Sequence, residues 1–127
     1  MHHQPPLLLV VEDDPDHAML IAHAVVDLGE VVMAGDAAAA LRLYRERRPD
    51  VVLLDINLPD EDGFVVLERI RAESDVPVVM VTGRGNRADR AKGWELGVDM
   101  YMTKPFSLGE LRARVAVILR RRSPRPD

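Results

Sequence analysis

The chain reads as an α/β protein in which five parallel strands alternate with five helices, doubly wound into one sheet covered on both faces. Five short apolar runs, near 7–11, 30–34, 51–55, 78–82 and 99–102, are mostly Val, Leu and Met. Uninterrupted runs of that kind suit strands buried on both faces. Between them lie stretches whose apolar residues recur three and four apart, the helical period. Their strict alternation implies right-handed crossovers and a parallel sheet.

The first strand, Leu7-Leu8-Leu9-Val10-Val11, runs into Glu12-Asp13-Asp14. Asp14 suits an N-cap and Pro15 a first turn, and Ala18, Ile21, Val25 and Leu28 share a face of the helix that follows. After the run at 30–34, a second helix from Ala37 to Arg48 is rich in Ala, Leu and Arg and stops at Pro49. Val51-Val52-Leu53-Leu54 leads to Asp55, and a third helix starting after Gly63 aligns Val66, Leu67 and Ile70. Val78-Val79-Met80-Val81 runs into Thr82; the fourth helix spans about Arg87 to Leu96, with Gly97 just past its end. Met100-Tyr101-Met102 leads through Thr103 to Lys104. The fifth helix opens with Ser107-Leu108-Gly109-Glu110, a capping-box pattern, and continues through Leu111, Val115, Ile118 and Leu119.

Composition narrows the function classes. A length of 127 residues fits one domain able to bury a core without disulfides or a structural metal. Lys+Arg 17 against Asp+Glu 21 gives −4, which offers no general attraction to nucleic acid or anionic lipid. The absence of cysteine excludes a disulfide framework and a thiolate metal site, and suits a reducing cytoplasm. No apolar stretch approaches the ~20 residues of a membrane helix. Residues 1–6 lack the apolar region of a signal peptide and read as a disordered lead-in, 7–121 as the domain, and 122–127 as a tail or the start of a linker.

Open α/β sheets bind ligands beyond the carboxyl ends of their strands. There this sheet brings together Glu12, Asp13, Asp55, Thr82 and Lys104. A carboxylate held at a strand end can attack phosphorus to give an acyl phosphate, although aspartates also serve as plain turn residues. Three successive acids need a cation; Mg²⁺ takes oxygen ligands and keeps several waters, so Asp13 and Asp55 could supply its carboxylates while Glu12 holds a bound water. Asp14 is better placed as a helix cap. A hydroxyl and an ammonium suit the equatorial oxygens of a transferring phosphoryl group.

Four segments carry a family resemblance: Val10-Val11-Glu12-Asp13-Asp14-Pro15, Asp55-Ile56-Asn57-Leu58-Pro59-Asp60-Glu61-Asp62-Gly63, Val81-Thr82-Gly83 and Lys104-Pro105-Phe106. Together they resemble the receiver domain of two-component response regulators over essentially the whole chain, and Ser107 to Pro124 is most similar to the winged-helix DNA-binding subfamily. The resemblance implies a flavodoxin-like (βα)5 fold with strand order 2-1-3-4-5. It implies a signalling phosphoacceptor rather than an enzyme with a separate substrate, its only catalysis being its own phosphotransfer and dephosphorylation. Asp55 would accept the phosphoryl group from a sensor histidine kinase. Asp13, Asp55 and the backbone carbonyl of Asn57 would bind Mg²⁺, with Glu12 acting through water. Lys104, joined to Pro105 by a cis peptide, would pair with the phosphoryl group. Thr82 would swing toward it and Tyr101 would turn inward in response, repacking the face formed by the fourth helix, fifth strand and fifth helix. Asn57 and Arg84 would flank the mouth of the site.

That face would also carry a homodimer, with Arg90 opposite Glu110 and Asp99 opposite Arg121. Met100 and Ala116 stand where a further acid and base are expected, which weakens the dimer by ~0–1 kcal/mol per lost pair. DNA would be reached only through a domain outside this chain, and no membrane partner is implied. Gly83 and Gly85 should loosen the loop after Thr82. Trp94 is expected half-buried, and His17 and His23 on the surface. The competing readings are a haloacid-dehalogenase-like phosphatase, which lacks its second acid because Asn57 stands there; a flavin binder, whose phosphate three acids would repel; and a receiver fold acting only as a binding module.

Overall fold

The computed structural model describes residues 5–122. Its elements are β1 (Leu7–Val11), α1 (Pro15–Val25), β2 (Glu30–Ala34), α2 (Ala37–Arg47), β3 (Val51–Leu54), α3 (Gly63–Glu73), β4 (Val78–Thr82), α4 (Arg87–Glu95), β5 (Met100–Thr103) and α5 (Leu108–Arg121), with a 3₁₀ turn at Val26–Leu28 after α1. All strand pairs are parallel and the order is β2-β1-β3-β4-β5. The expected fold class and topology are those observed. Residues 1–4 and 123–127, which hold most of the lead-in and tail, lie outside the described residues; Pro6 already accepts a hydrogen bond from the Glu30 N–H at 2.9 Å.

Successive strand residues point to opposite faces, so each apolar run feeds two cores. Leu9, Val11, Val52, Leu54 and Met80 pack with Leu41, Tyr44, Phe64, Leu67 and Ile70 from α2 and α3. Leu8, Val10, Leu53, Val79 and Val81 pack with Ile21, Val25, Leu111 and Val115 from α1 and α5. Each such side chain contributes ~1.5–3 kcal/mol by leaving water. Register keeps the strand ends level: Val11 lies beside both Ala34 and Leu54, and Thr82 beside Thr103.

Helix ends follow local chemistry. Asp14 caps α1 by accepting from the Asp16 N–H at 2.9 Å. The third helix begins at Gly63 itself because Asp62 caps it through the Phe64 N–H at 2.8 Å. At the end of α2, Arg48 takes the left-handed conformation with φ 51°, immediately before Pro49. Gly97, at φ 97°, closes α4. Only half of the capping box at Ser107 forms. Its hydroxyl accepts from the Glu110 N–H at 3.2 Å, while the Glu110 carboxylate turns to Arg114 Nε at 3.0 Å. Trp94 corrects the expectation of half-burial: it is 53% exposed, because α4 buries only Gly93 against the sheet.

Candidate functional site

Three site residues sit one step beyond the sheet ladder, each tied to the last carbonyl of a neighbouring strand. The Glu12 N–H donates to Ala34 O at 3.0 Å, Asp55 N–H to Val11 O at 3.0 Å, and Lys104 N–H to Thr82 O at 2.8 Å. Those bonds aim the side chains into one mouth. Glu12 and Asp55 are buried at 4% and 5% exposure, Thr82 is fully buried, and Asp13 is exposed.

The buried acids share one cation. Lys104 Nζ bonds Glu12 Oε1 directly and lies 3.1 Å from Asp55 Oδ2. Burial pushes the Glu12 carboxyl above its usual range, more than its bonds to Lys104 and the Asp14 N–H offset. Burial alone would lower Lys104, but the Glu12 hydrogen bond and the Asp55 charge outweigh it and hold the ammonium above its ordinary value. The peptide joining Lys104 to Pro105 is cis, as expected.

Among the described residues no three of His, Cys, Asp or Glu close into a ready metal cage. A hard ion such as Mg²⁺ needs only one or two carboxylates and is otherwise held by water and phosphate. Oxygen donors from Asp13 and Asp55, with Glu12 behind them, fit Mg²⁺ in chemistry.

The loop after β4 is organised by Arg84. Its N–H donates to Thr82 Oγ1 at 3.2 Å, and its guanidinium grips Asp89 twice, from Nε and Nη2, at 3.0 Å each. Nη1 reaches across the mouth to Asn57 Oδ1 at 3.2 Å. The Arg84 hydrogen bonds hold Asp89 below the usual carboxylate range, and Asp89 raises Arg84 in turn. Tyr101 is seated inward, 7% exposed, its hydroxyl donating to the Arg84 carbonyl. Burial raises its phenol pKa. Gly93 makes that seat, since a Cβ there would stand 3.0 Å from the ring. Arg90 covers the ring, 5.4 Å from its centroid.

The response regulator receiver domain matches residues 8–116 of the chain. The chain belongs to that family. It is 46% identical over 119 residues to the transcriptional regulatory protein PrrA of Mycobacterium tuberculosis, covering 92% of this chain and 51% of that protein. It is 44% identical over 115 residues to the probable transcriptional regulator ycf27 of Guillardia theta, covering 90% and 45%. A solved response regulator from Chloroflexus aurantiacus superposes with TM-score 0.86 at 33% identity, covering 93% of this chain and all of that one. This receiver domain therefore spans about half the length of the curated relatives it matches.

His17 lies on the surface as expected, and its Nδ1 is also 3.2 Å from Lys104 Nζ at the edge of the site. Some features of this receiver domain differ from expectation. The freedom expected at Gly85 is instead a packing need, because a Cβ would meet Thr103 Cγ2 at 2.6 Å, whereas Gly83 has open space around it. On the α4–β5–α5 face, Asp99 Oδ2 is engaged within the chain by Arg71 Nη2 at 2.7 Å and the Val78 N–H at 2.8 Å. Glu110 is likewise engaged by Arg114. Arg121 lines a groove with Met100, Val117 and Ile118.

Proposed function

We propose that this receiver domain is a phosphoacceptor that takes a phosphoryl group from a sensor histidine kinase onto Asp55 and switches its α4–β5–α5 face to control transcription. The observation that carries this reading is the buried Asp55 carboxylate against the Lys104 ammonium, with the Thr82 hydroxyl on the adjacent strand end. An Asp55 oxygen attacks phosphorus, the bond to the kinase imidazole nitrogen breaks, and an aspartyl phosphate forms. Lys104 shifts from Glu12 toward a phosphoryl oxygen and Thr82 donates its hydroxyl to another. Asp13, Asp55, the Asn57 carbonyl and, through water, Glu12 would hold Mg²⁺, which when bound neutralises charge on the transferring group.

Movement of Thr82 draws on the Arg84 N–H that now bonds it. Arg84 in turn carries Tyr101 and Asp89, so a local charge change reaches α4 and β5. Arg84 and Asn57, joined across the mouth, set access of water to the acyl phosphate. A homodimer through α4–β5–α5 would use Arg90, Glu110, Asp99 and Arg121 after exchanging the internal partners of Asp99 and Glu110. DNA would be reached through a further domain, in the cytoplasm; no helix among the described residues is long and apolar enough to cross a membrane.

Incubation with Mg²⁺ and acetyl phosphate, followed by intact mass spectrometry, tests the reading. An acid-stable, base-labile adduct of one phosphoryl group is expected on the wild type and not on Asp55→Asn. Absence of the adduct would leave a binding module, and steady turnover of a phosphate ester would favour a phosphatase.

A further inference from the structure

Asp60 stands at the exposed tip of the loop between β3 and α3, yet its carboxylate is committed to a different element. Oδ1 accepts from the Ala37 N–H at 2.8 Å and Oδ2 from the Ala38 N–H at 3.1 Å. These are the first two residues of α2, whose own cap, Asp36, reaches only the Ala39 N–H, at 2.7 Å. A helix start leaves several N–H groups open, and one cap satisfies one or two of them. Asp60 takes the remaining pair from 23 and 22 positions away. The Ala37 and Ala38 N–H groups also keep its carboxyl below the usual range.

The rest of the loop explains why that grip matters. Its base is closed by the Asn57–Asp62 bridge and by the Gly63 N–H on Ile56 O at 2.7 Å. Between them the tip is anchored by Leu58 packing on the core and by Asp60. We propose that Asp60 is a positioning residue: by holding the amino end of α2 it sets the course of the loop that carries the Asn57 carbonyl, and so the affinity of the Asp13–Asp55 site for Mg²⁺. The proposal rests on the metal reading above. A neutral carbonyl helps a cation only when aimed at it, and Mg²⁺ demands near-octahedral geometry. Groups that orient ligands from behind typically change metal affinity 10–100-fold when removed.

Calorimetric titration with MgCl₂ at neutral pH, on the wild type, Asp60→Ala, Asp60→Asn and Asp36→Ala, tests it. Asp60→Ala should weaken Mg²⁺ binding about tenfold. Asp60→Asn, which keeps an acceptor for the same N–H groups, should fall between. Asp36→Ala removes the local cap of α2 without touching the loop; it should lose stability yet keep wild-type affinity. Unchanged affinity in Asp60→Ala overturns the proposal alone, and an equal loss in Asp36→Ala overturns it in favour of helix stability. No uptake by the wild type overturns it together with the metal reading.

Discussion

Two loops at the carboxyl end of the sheet are held by opposite means. The loop from Asp55 to Gly63 is fixed at its base by backbone: a strand-like bridge, an N–H on a neighbouring carbonyl, and a glycine with no room for a Cβ. The loop from Thr82 to Asn86 is held by side-chain ties centred on Arg84, with open space around Gly83. The first carries Asp55 and Asn57, the proposed acceptor and metal donor, and backbone contacts at its base hold both in place. The second, through Arg84, bonds the Thr82 hydroxyl and the inward-seated Tyr101, the two groups the proposed switch would move. Charge-assisted hydrogen bonds are strong but can be exchanged for a phosphoryl oxygen, whereas close backbone contact cannot.

The same substitution in the two loops should have opposite consequences. Gly63→Ala would bring Cβ within 2.3 Å of Asp55 O and 2.7 Å of the Ile56 Cα, both backbone atoms, so we expect a loss of stability. Its size should be about 3 kcal/mol in urea unfolding. A cost below 1 kcal/mol by this measurement would break the comparison. Arg84→Ala should cost about 1 kcal/mol, a modest value because the guanidinium is partly solvated. Amide exchange should then quicken at 83–86 and stay unchanged at 56–63; quickening in both would show that the loops form one unit.

Acid should separate them further. The carboxyl of Asp89 is lowered, so its contribution is complete above the ordinary aspartate range, ~4, and disappears as pH falls through the folded value. Asp60 follows the same sign, but the backbone contacts at the base of its loop do not titrate. Exchange at low pH should therefore open 82–86 before the base of the other loop, at 55–57 and 62–63, and simultaneous opening would sink the distinction. The smallest effect is expected for Gly83→Ala, within about 0.5 kcal/mol of wild type or slightly stabilising, measured by the same unfolding experiment.

Much of the fold was legible because buried parallel strands leave a continuous signal. Leu7–Val11 and Val51–Leu54 have no other comfortable place than between two helical layers. The site acids were legible because they interrupt those runs at one end. What escaped depends on which loops meet in space. Asp60 looks like an ordinary turn residue until α2 lies beside it, and the surface histidine His17 shows no tie to the site until Lys104 arrives from 87 positions away. Gly85 suggested freedom because a glycine and a gap read alike in one dimension, whereas Thr103 fills the space. Trp94 misled because α4 has too little apolar surface to draw a large ring inward.

The bond between Glu12 and Lys104 joins residues 92 positions apart, and it bears on how the protein comes into being. In chain order β1, β2 and β3, and Asp55 with them, all come well before residue 104. Without residue 104 the Glu12 and Asp55 carboxylates lack the ammonium they share in the finished fold. A chain without its fifth strand would therefore present Asp55 without the ammonium that stands against it, and the charge balance of the mouth is complete only once that strand has docked.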